Sequence, residues 1–255
     1  MNLFDKLYFE RCKEEFGSLG FIRSGNFFER IVNDNVIQSF YLQKWGNGYK
    51  CEIHFGISPM CRGENPGCPS PNYSLRKFAY KIQDPWICKG EDQEVADGVE
   101  NVISDIKKYI MPSFERATDP ASALNEIIYL DKLVYQLISE RNGDRAFSSE
   151  ILEKSAVKMN DNAKYFFALK KEDYKFAAKC LESFLSEQIY IYLNCKACCE
   201  KNENYPKENL ISCEKTIEEL KKEISFIENG EYEYFKNIVE ENEKKNRLLY
   251  KKFYK

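Results

Sequence analysis

FIRSGNFFERIVNDNVIQSFYLQKWGNGYKCEIHFGI, residues 21–57, is the stretch that decides the fold. Four runs rich in aromatic and β-branched residues, over 21–24, 27–32, 36–45 and 49–57, alternate with clusters of Ser, Gly, Asn and Asp. Ser24-Gly25-Asn26, Asn33-Asp34-Asn35 and Gly46-Asn47-Gly48 are turn chemistry, because glycine and asparagine tolerate the positive φ that tight hairpins impose. Strands joined this closely run antiparallel, since parallel neighbours need long crossovers. In the fourth run Tyr49, Cys51, Ile53, Phe55 and Ile57 share one face, while Lys50, Glu52 and His54 share the other. That is the period of a half-buried strand. The pattern predicts an antiparallel meander of four to five strands, with a further strand over 75–82.

Helices are expected on both sides of this stretch. Leu3, Leu7, Phe9, Cys12 and Phe16 form the apolar stripe of an opening helix over 2–16, stopped by Gly17 and Gly20. A loop over 58–73 carries Pro59, Pro66, Pro69 and Pro71, and Asp84-Pro85-Trp86 breaks the strand before it. The acids of 91–100 lead into a helix over 93–109, where they suit the positive end of the helix dipole. Near 112–120 the period changes, and strand signals give way to helices over 121–139, 148–160, 171–200, 207–228 and 231–253. Leu210, Cys213, Ile217, Leu220, Ile224 and Ile227 step by three and four, a heptad seam. Asn229-Gly230 separates the last two helices, which predicts an antiparallel helical hairpin. The expected fold class is therefore α+β: an α+β domain over 1–117 with its meander sheet packed by helices, followed over 118–255 by an all-helical bundle that ends in a hairpin.

The first part resembles the bacterial family catalogued as domain of unknown function 4304. The resemblance is carried by Leu19-Gly20-Phe21, Gly25-Asn26-Phe27-Phe28-Glu29-Arg30, Gln38, Leu42-Gln43-Lys44 and Phe55-Gly56-Ile57, in that order. Asp84-Pro85-Trp86-Ile87 stands where the family has a two-tryptophan motif, with the second Trp replaced, and Leu75-Arg76-Lys77 matches an Arg-rich strand only loosely. The resemblance covers about residues 1–117 and implies an α+β domain with no established activity. It leaves the helical part untouched. Trp86 joins Arg30, Gln43 and His54 as a candidate binding residue.

Composition narrows the chemistry. Of 255 residues, 43% are hydrophobic and 31% charged, which is globular. The 38 Lys and Arg against 41 Asp and Glu give a net charge of −3, without bulk attraction for nucleic acid or an anionic membrane. A single histidine, His54, excludes HExxH and three-histidine metal sites. Neither GxxxxGK[ST] nor a helix-opening GxGxxG occurs. The charged N-terminal stretch is unlike a signal peptide, so the expectation is a cytoplasmic protein whose ten cysteines are thiols.

Three sites are weighed. His54, with Arg30 and Gln43 from neighbouring strands, could do acid–base work beside an anion-binding arginine; an ordinary hydrogen-bonded strand histidine is the favoured reading. Cys195, Cys198, Cys199 and Cys213 could supply four thiolates to zinc; thiols on buried helix faces are favoured. Lys244, Lys245, Arg247, Lys251, Lys252 and Lys255, interleaved with Tyr250, Phe253 and Tyr254, could track RNA. A helix whose cations complement its own dipole and the acids upstream is the simpler account. No cofactor and no membrane contact are expected. Binding is favoured over catalysis: the expected partner is another protein, as for a toxin-immunity or regulatory protein of bacteria, and 17 Tyr with 18 Phe supply the anchors that interfaces use. The alternatives are a small-molecule-binding protein or enzyme built on the polar sheet face around His54, and nucleic-acid binding through the basic tail.

Overall fold

Asn2 opens the first helix, its side-chain oxygen accepting the Asp5 backbone N–H at 2.9 Å, and α1 runs Leu3–Phe16. The computed structural model describes residues 2–45, 50–62, 73–74, 86–87, 90–141, 161–201 and 206–251. Six strands form one antiparallel sheet: β1 Ile22–Ser24, β2 Phe27–Val32, β3 Val36–Trp45, β4 Lys50–Pro59, β5 Tyr73–Ser74 and β6 Trp86–Ile87. The first five lie in chain order, the expected meander, and β6 pairs the start of β4. Asn33 and Asp34 take positive φ (48° and 58°) in the β2–β3 turn, and Gly25 (61°) does so before β2. The strand expected over 75–82 lies outside the described residues.

The helices follow. Helix α2, Asp92–Asp105, opens with a reciprocal capping box between Glu91 and Glu94. It continues through one wide π turn, Ile106–Ile110, into α3, Met111–Arg116. Pro112 sits in the first turn of α3, where a missing N–H is tolerated, and the wide turn just before it absorbs the mismatch. Next come α4 Pro120–Arg141, α5 Asp161–Lys170, α6 Tyr174–Lys201, α7 Lys207–Glu228 and α8 Tyr232–Tyr250. The single helix expected over 171–200 thus has a second helix, α5, ahead of it, separated by a turn in which Glu172 takes φ 58°. The helix expected over 148–160 lies outside the described residues.

Register assigns the two faces of the sheet. Phe28, Phe40 and Phe55 stand side by side across β2, β3 and β4, as do Val32, Val36 and Pro59. This face meets α1 through Phe4, Tyr8, Phe9, Cys12 and Phe16, and α2 and α3 through Val99, Val102, Ile103 and Phe114. Phe28 stacks on Phe40 with ring centroids 5.3 Å apart, and Phe16 meets Phe40 edge-on at 5.3 Å. Each such ring, fully buried, contributes about 1.5–3 kcal/mol through removal from water. The same core runs on into α4 (Ala123, Leu124, Ile127, Leu130) and α5 (Ala163, Phe167), so the apolar interior crosses from 117 to 118 without interruption.

Polar side chains pin this face. Gln38, fully buried, accepts from Arg30 Nε at 2.7 Å and donates from its amide nitrogen to the Phe114 and Ala117 carbonyls at 2.7 and 2.8 Å. The Ala117 carbonyl, past the last turn of α3, is thereby satisfied from the sheet, and the Phe114 carbonyl gains a second donor beside the Ala117 N–H. Deeper in, Lys164 of α5 pairs with Asp131 of α4 at 2.5 Å, both fully buried, and the Tyr73 hydroxyl of β5 donates to Asp131 at 2.8 Å.

The opposite face is covered in part by α8. Asn246 donates to the Met60 and Arg62 carbonyls, both at 2.7 Å, and Tyr250 packs on Ile37 and Met60. Arg247 donates to the Asp34 carbonyl at 2.9 Å. A further apolar cluster joins Cys61, just past β4, to α5, α6, α7 and α8.

Candidate functional site

Alternation along β2, β3 and β4 places Glu29, Ser39, Tyr41, Gln43, Glu52, His54 and Ser58 on the face away from α1. Water reaches little of it: Glu29, Ser39, Glu52 and Ser58 are buried, as is Ser74, which β5 sets opposite His54. His54 Nε2 lies 3.8 Å from Glu52 Oε2, and its ring stacks on Tyr41 with centroids 5.1 Å apart. Glu29 carries a perturbed carboxyl. Burial pushes it up to about 7, and the Tyr250 hydroxyl, 3.5 Å from its Oε1, offsets part of that rise. Register sets Glu29 opposite Ser39 and Gly56, two strands from His54, so the carboxylate beside the histidine is that of Glu52. Here α8 lies on Glu29, and Tyr41 covers a face of the His54 ring.

The candidates read from sequence separate in this geometry. Gln43 and His54 share the polar face, on registers two pairs apart, and Gln43 is exposed. Arg30 does not join them. It is paired with Gln38 in register, on the face that packs against the helices, where it also donates to the Leu19 carbonyl at 2.9 Å and sits over the Phe21 ring. Burial lowers its pKa. Its role there is to hold Gln38 and the chain before β1, not to meet an anion beside His54. Trp86 pairs with Cys51 in register. Glu29 and Glu52, which sequence reading passed over, are the buried carboxylates of the polar face. The turn Asn33-Asp34-Asn35 holds the signal that could have found them, since it sets Val32 opposite Val36 and so fixes Arg30 against Gln38 and Glu29 against Ser39.

A cleft of about 470 Å³ opens where β3 runs on past the first residue of β2, lined by Asp5, Phe9, Asn26, Phe27, Tyr41, Leu42, Gln43 and Lys44. Lys44 and Asp5 form an ion pair on its wall. It mixes aromatic faces with one charge of each sign, and Gln43 is the candidate residue that lines it.

The second feature is a long helical hairpin. Helices α6 and α7 are the most extensively packed helix pair among the described residues, and they run antiparallel. Its base is buried: Ala177, Cys180 and Leu181 of α6 and Ile227 of α7, with Phe184, Leu220 and Ile224 packed against them. Beyond Phe184 no residue of α6 is buried, and Tyr190 (67% exposed), Leu193 (56%) and, on α7, Ile211 (65%) face solvent. At 1.5 Å per residue this outer part is about 25 Å long. The seam of α7 faces α6 over much of its length, while α8 meets α7 near the Asn229-Gly230 turn, where Phe226 and Tyr234 pack edge-on at 4.9 Å. Gly230 takes φ +75° in that turn.

Cys195, Cys198, Cys199 and Cys213 all lie on this outer part, as free thiols. Among the described residues no three His, Cys, Asp or Glu side chains converge as metal ligands. Of the basic stretch, Arg247 is engaged with Asp34 and Tyr250 is buried, while Lys244, Lys245 and Lys251 are exposed; 252–255 lie outside the described residues. Among the described residues no helix is long and apolar enough to cross a membrane. No protein-family model matches the chain, and no curated protein or solved structure matches it.

Proposed function

We propose that this chain is a protein-binding module that takes an amphipathic helix of a partner protein along the outer part of the α6–α7 hairpin. One observation carries the reading: a helix pair about 25 Å long that exposes Ile189, Tyr190, Leu193 and Ile211 instead of burying them. Large apolar side chains gathered on one projecting element mark interaction surfaces more than single exposed ones do. Ile189 and Leu193 stand one turn apart on α6, the spacing at which a second helix packs, and Glu187 and Lys196 flank them with charges of both signs. A regulatory or toxin-immunity role in the bacterial cytoplasm fits such a module, and the eight free thiols among the described cysteines suit a reducing compartment.

A photo-crosslinking residue at Tyr190 or Leu193, compared with one at exposed Lys6 on α1, tests this in the native cell. One protein species captured from both hairpin positions, not from Lys6, and lost on L193K at the neighbouring position is the expected result. Equal capture from Lys6, no capture, or capture of the chain by itself overturns the reading. The cleft beside Gln43 supports a second reading, small-molecule binding, because its volume falls in the range of ligand sites; shifts of the Tyr41 and Gln43 resonances on screening small metabolites, absent in Q43A, are its test.

A further inference from the structure

Cys195 stands six residues before the end of α6 and Cys213 six residues after the start of α7. An antiparallel pair therefore brings them to one level, about 9 Å in from the tip. The hydrogen bond from the Tyr192 hydroxyl to Glu214 Oε1, 3.0 Å, fixes the same register one turn away. At this level the two thiols hydrogen-bond to each other across the hairpin, and desolvation between the helices followed by the Cys195 thiol beside it raises the Cys213 pKa. Both are half-buried cysteines in the thiol form, outside the apolar cluster that ends at Phe184 and Leu220. Cys198 is exposed, three residues round the helix from Cys195, and Cys199 lies one turn nearer the tip.

We propose that Cys195 and Cys213 are a reversible dithiol–disulfide site, oxidised by low-molecular-weight disulfides, that locks the outer end of the hairpin. The Cys195 thiolate attacks one sulfur of the small disulfide, forming a mixed disulfide and releasing one small thiolate. The Cys213 thiolate then attacks the Cys195 sulfur, forming the intramolecular S–S bond and releasing the second. The two protein thiols lose two electrons and two protons in all, and the small disulfide is reduced to two thiols. Each attack is made by the thiolate, formed by loss of the thiol proton. Facing positions of a close helix pair direct their Cβ atoms toward each other, which is the geometry a disulfide needs. The bridge closes the tip into a ring and so restricts its opening.

The full chain is treated with oxidised glutathione, the remaining thiols are alkylated, and the peptides are mapped by mass spectrometry. The expected product is a linked Cys195–Cys213 peptide pair lacking two hydrogens, restored by dithiothreitol, and formed equally in C198S/C199S. Amide exchange over 196–201 and 207–212 slows on the order of 100-fold in the bridged form. C213S yields only a glutathione adduct on Cys195, with no slowing. Separate adducts on both cysteines of the unmodified chain, a bridge that prefers Cys198 or Cys199, or a bridged form with unchanged exchange overturns the proposal.

Discussion

Replacing Glu29 by glutamine should stabilise the protein at neutral and alkaline pH and change it little in acid. The Glu29 side chain is 5% exposed, and burial moves its carboxyl from 4.5 to about 7 against the smaller, opposing pull of the Tyr250 hydroxyl. A raised carboxyl pKa means that the folded state keeps a proton which the unfolded chain releases between those two values. Stability therefore falls as pH rises from 4.5 to about 7, and the full loss is present above that. The displacement corresponds to about 3 kcal/mol at pH 8, shrinking to about 0.4 kcal/mol at pH 4.5. Glutamine has the same shape and keeps an oxygen for Tyr250, but it cannot ionise, so the difference between variant and parent isolates this one titration. Urea melts of both proteins at about pH 4.5, 6 and 8 measure it. A difference that stays flat across the three, or a variant less stable than its parent at the highest, refutes the account of how α8 seats on the sheet.

Two further substitutions probe the buried polar groups. Gln38→Leu strands the Ala117 carbonyl and one Arg30 donor, leaves the Phe114 carbonyl with the Ala117 N–H at 3.3 Å, and should cost about 3 kcal/mol in urea denaturation. Lys164→Met takes the ion-pair partner from buried Asp131, a cost of about 3–5 kcal/mol, which the double variant Lys164→Met/Asp131→Leu should largely recover in thermal melts.

The strands were legible because turn chemistry and two-residue alternation agree over residues 21–57, and β2 and β3 begin and end where the pattern sets them. Helix α7 likewise coincides with its heptad seam. Helix α5 was not legible, since Ala163, Lys164, Tyr165, Phe167, Ala168 and Leu169 are buried on nearly every side and a helix apolar all round shows no stripe. The seam of α7 marked a packed helix and the Asn229-Gly230 turn pointed it to α8, yet its long pairing is with α6 and it meets α8 near that turn, a choice of neighbour that local pattern does not encode. Of the candidate site, Gln43 and His54 were placed on their common face by parity alone. Arg30 was not, because a shift of one residue in register exchanges the two faces, and its face follows from the length of the β2–β3 turn. The burial of Glu29 and Glu52 depends on long-range cover, to which the chain contributes Tyr250 from 221 positions away.

That distance orders how the molecule is made. A polypeptide leaves the ribosome N-terminus first, and once α3 has emerged it can already set Phe28, Phe40 and Phe55 against α1 and α2. The Glu29 side of the sheet must wait for Asn246 and Tyr250, the last turns of the last described helix, before those residues can be covered. Until α8 arrives, the face away from α1 presents Glu29, Ser39, Glu52 and Ser58, a polar surface that disfavours the apolar association to which unfinished chains are prone.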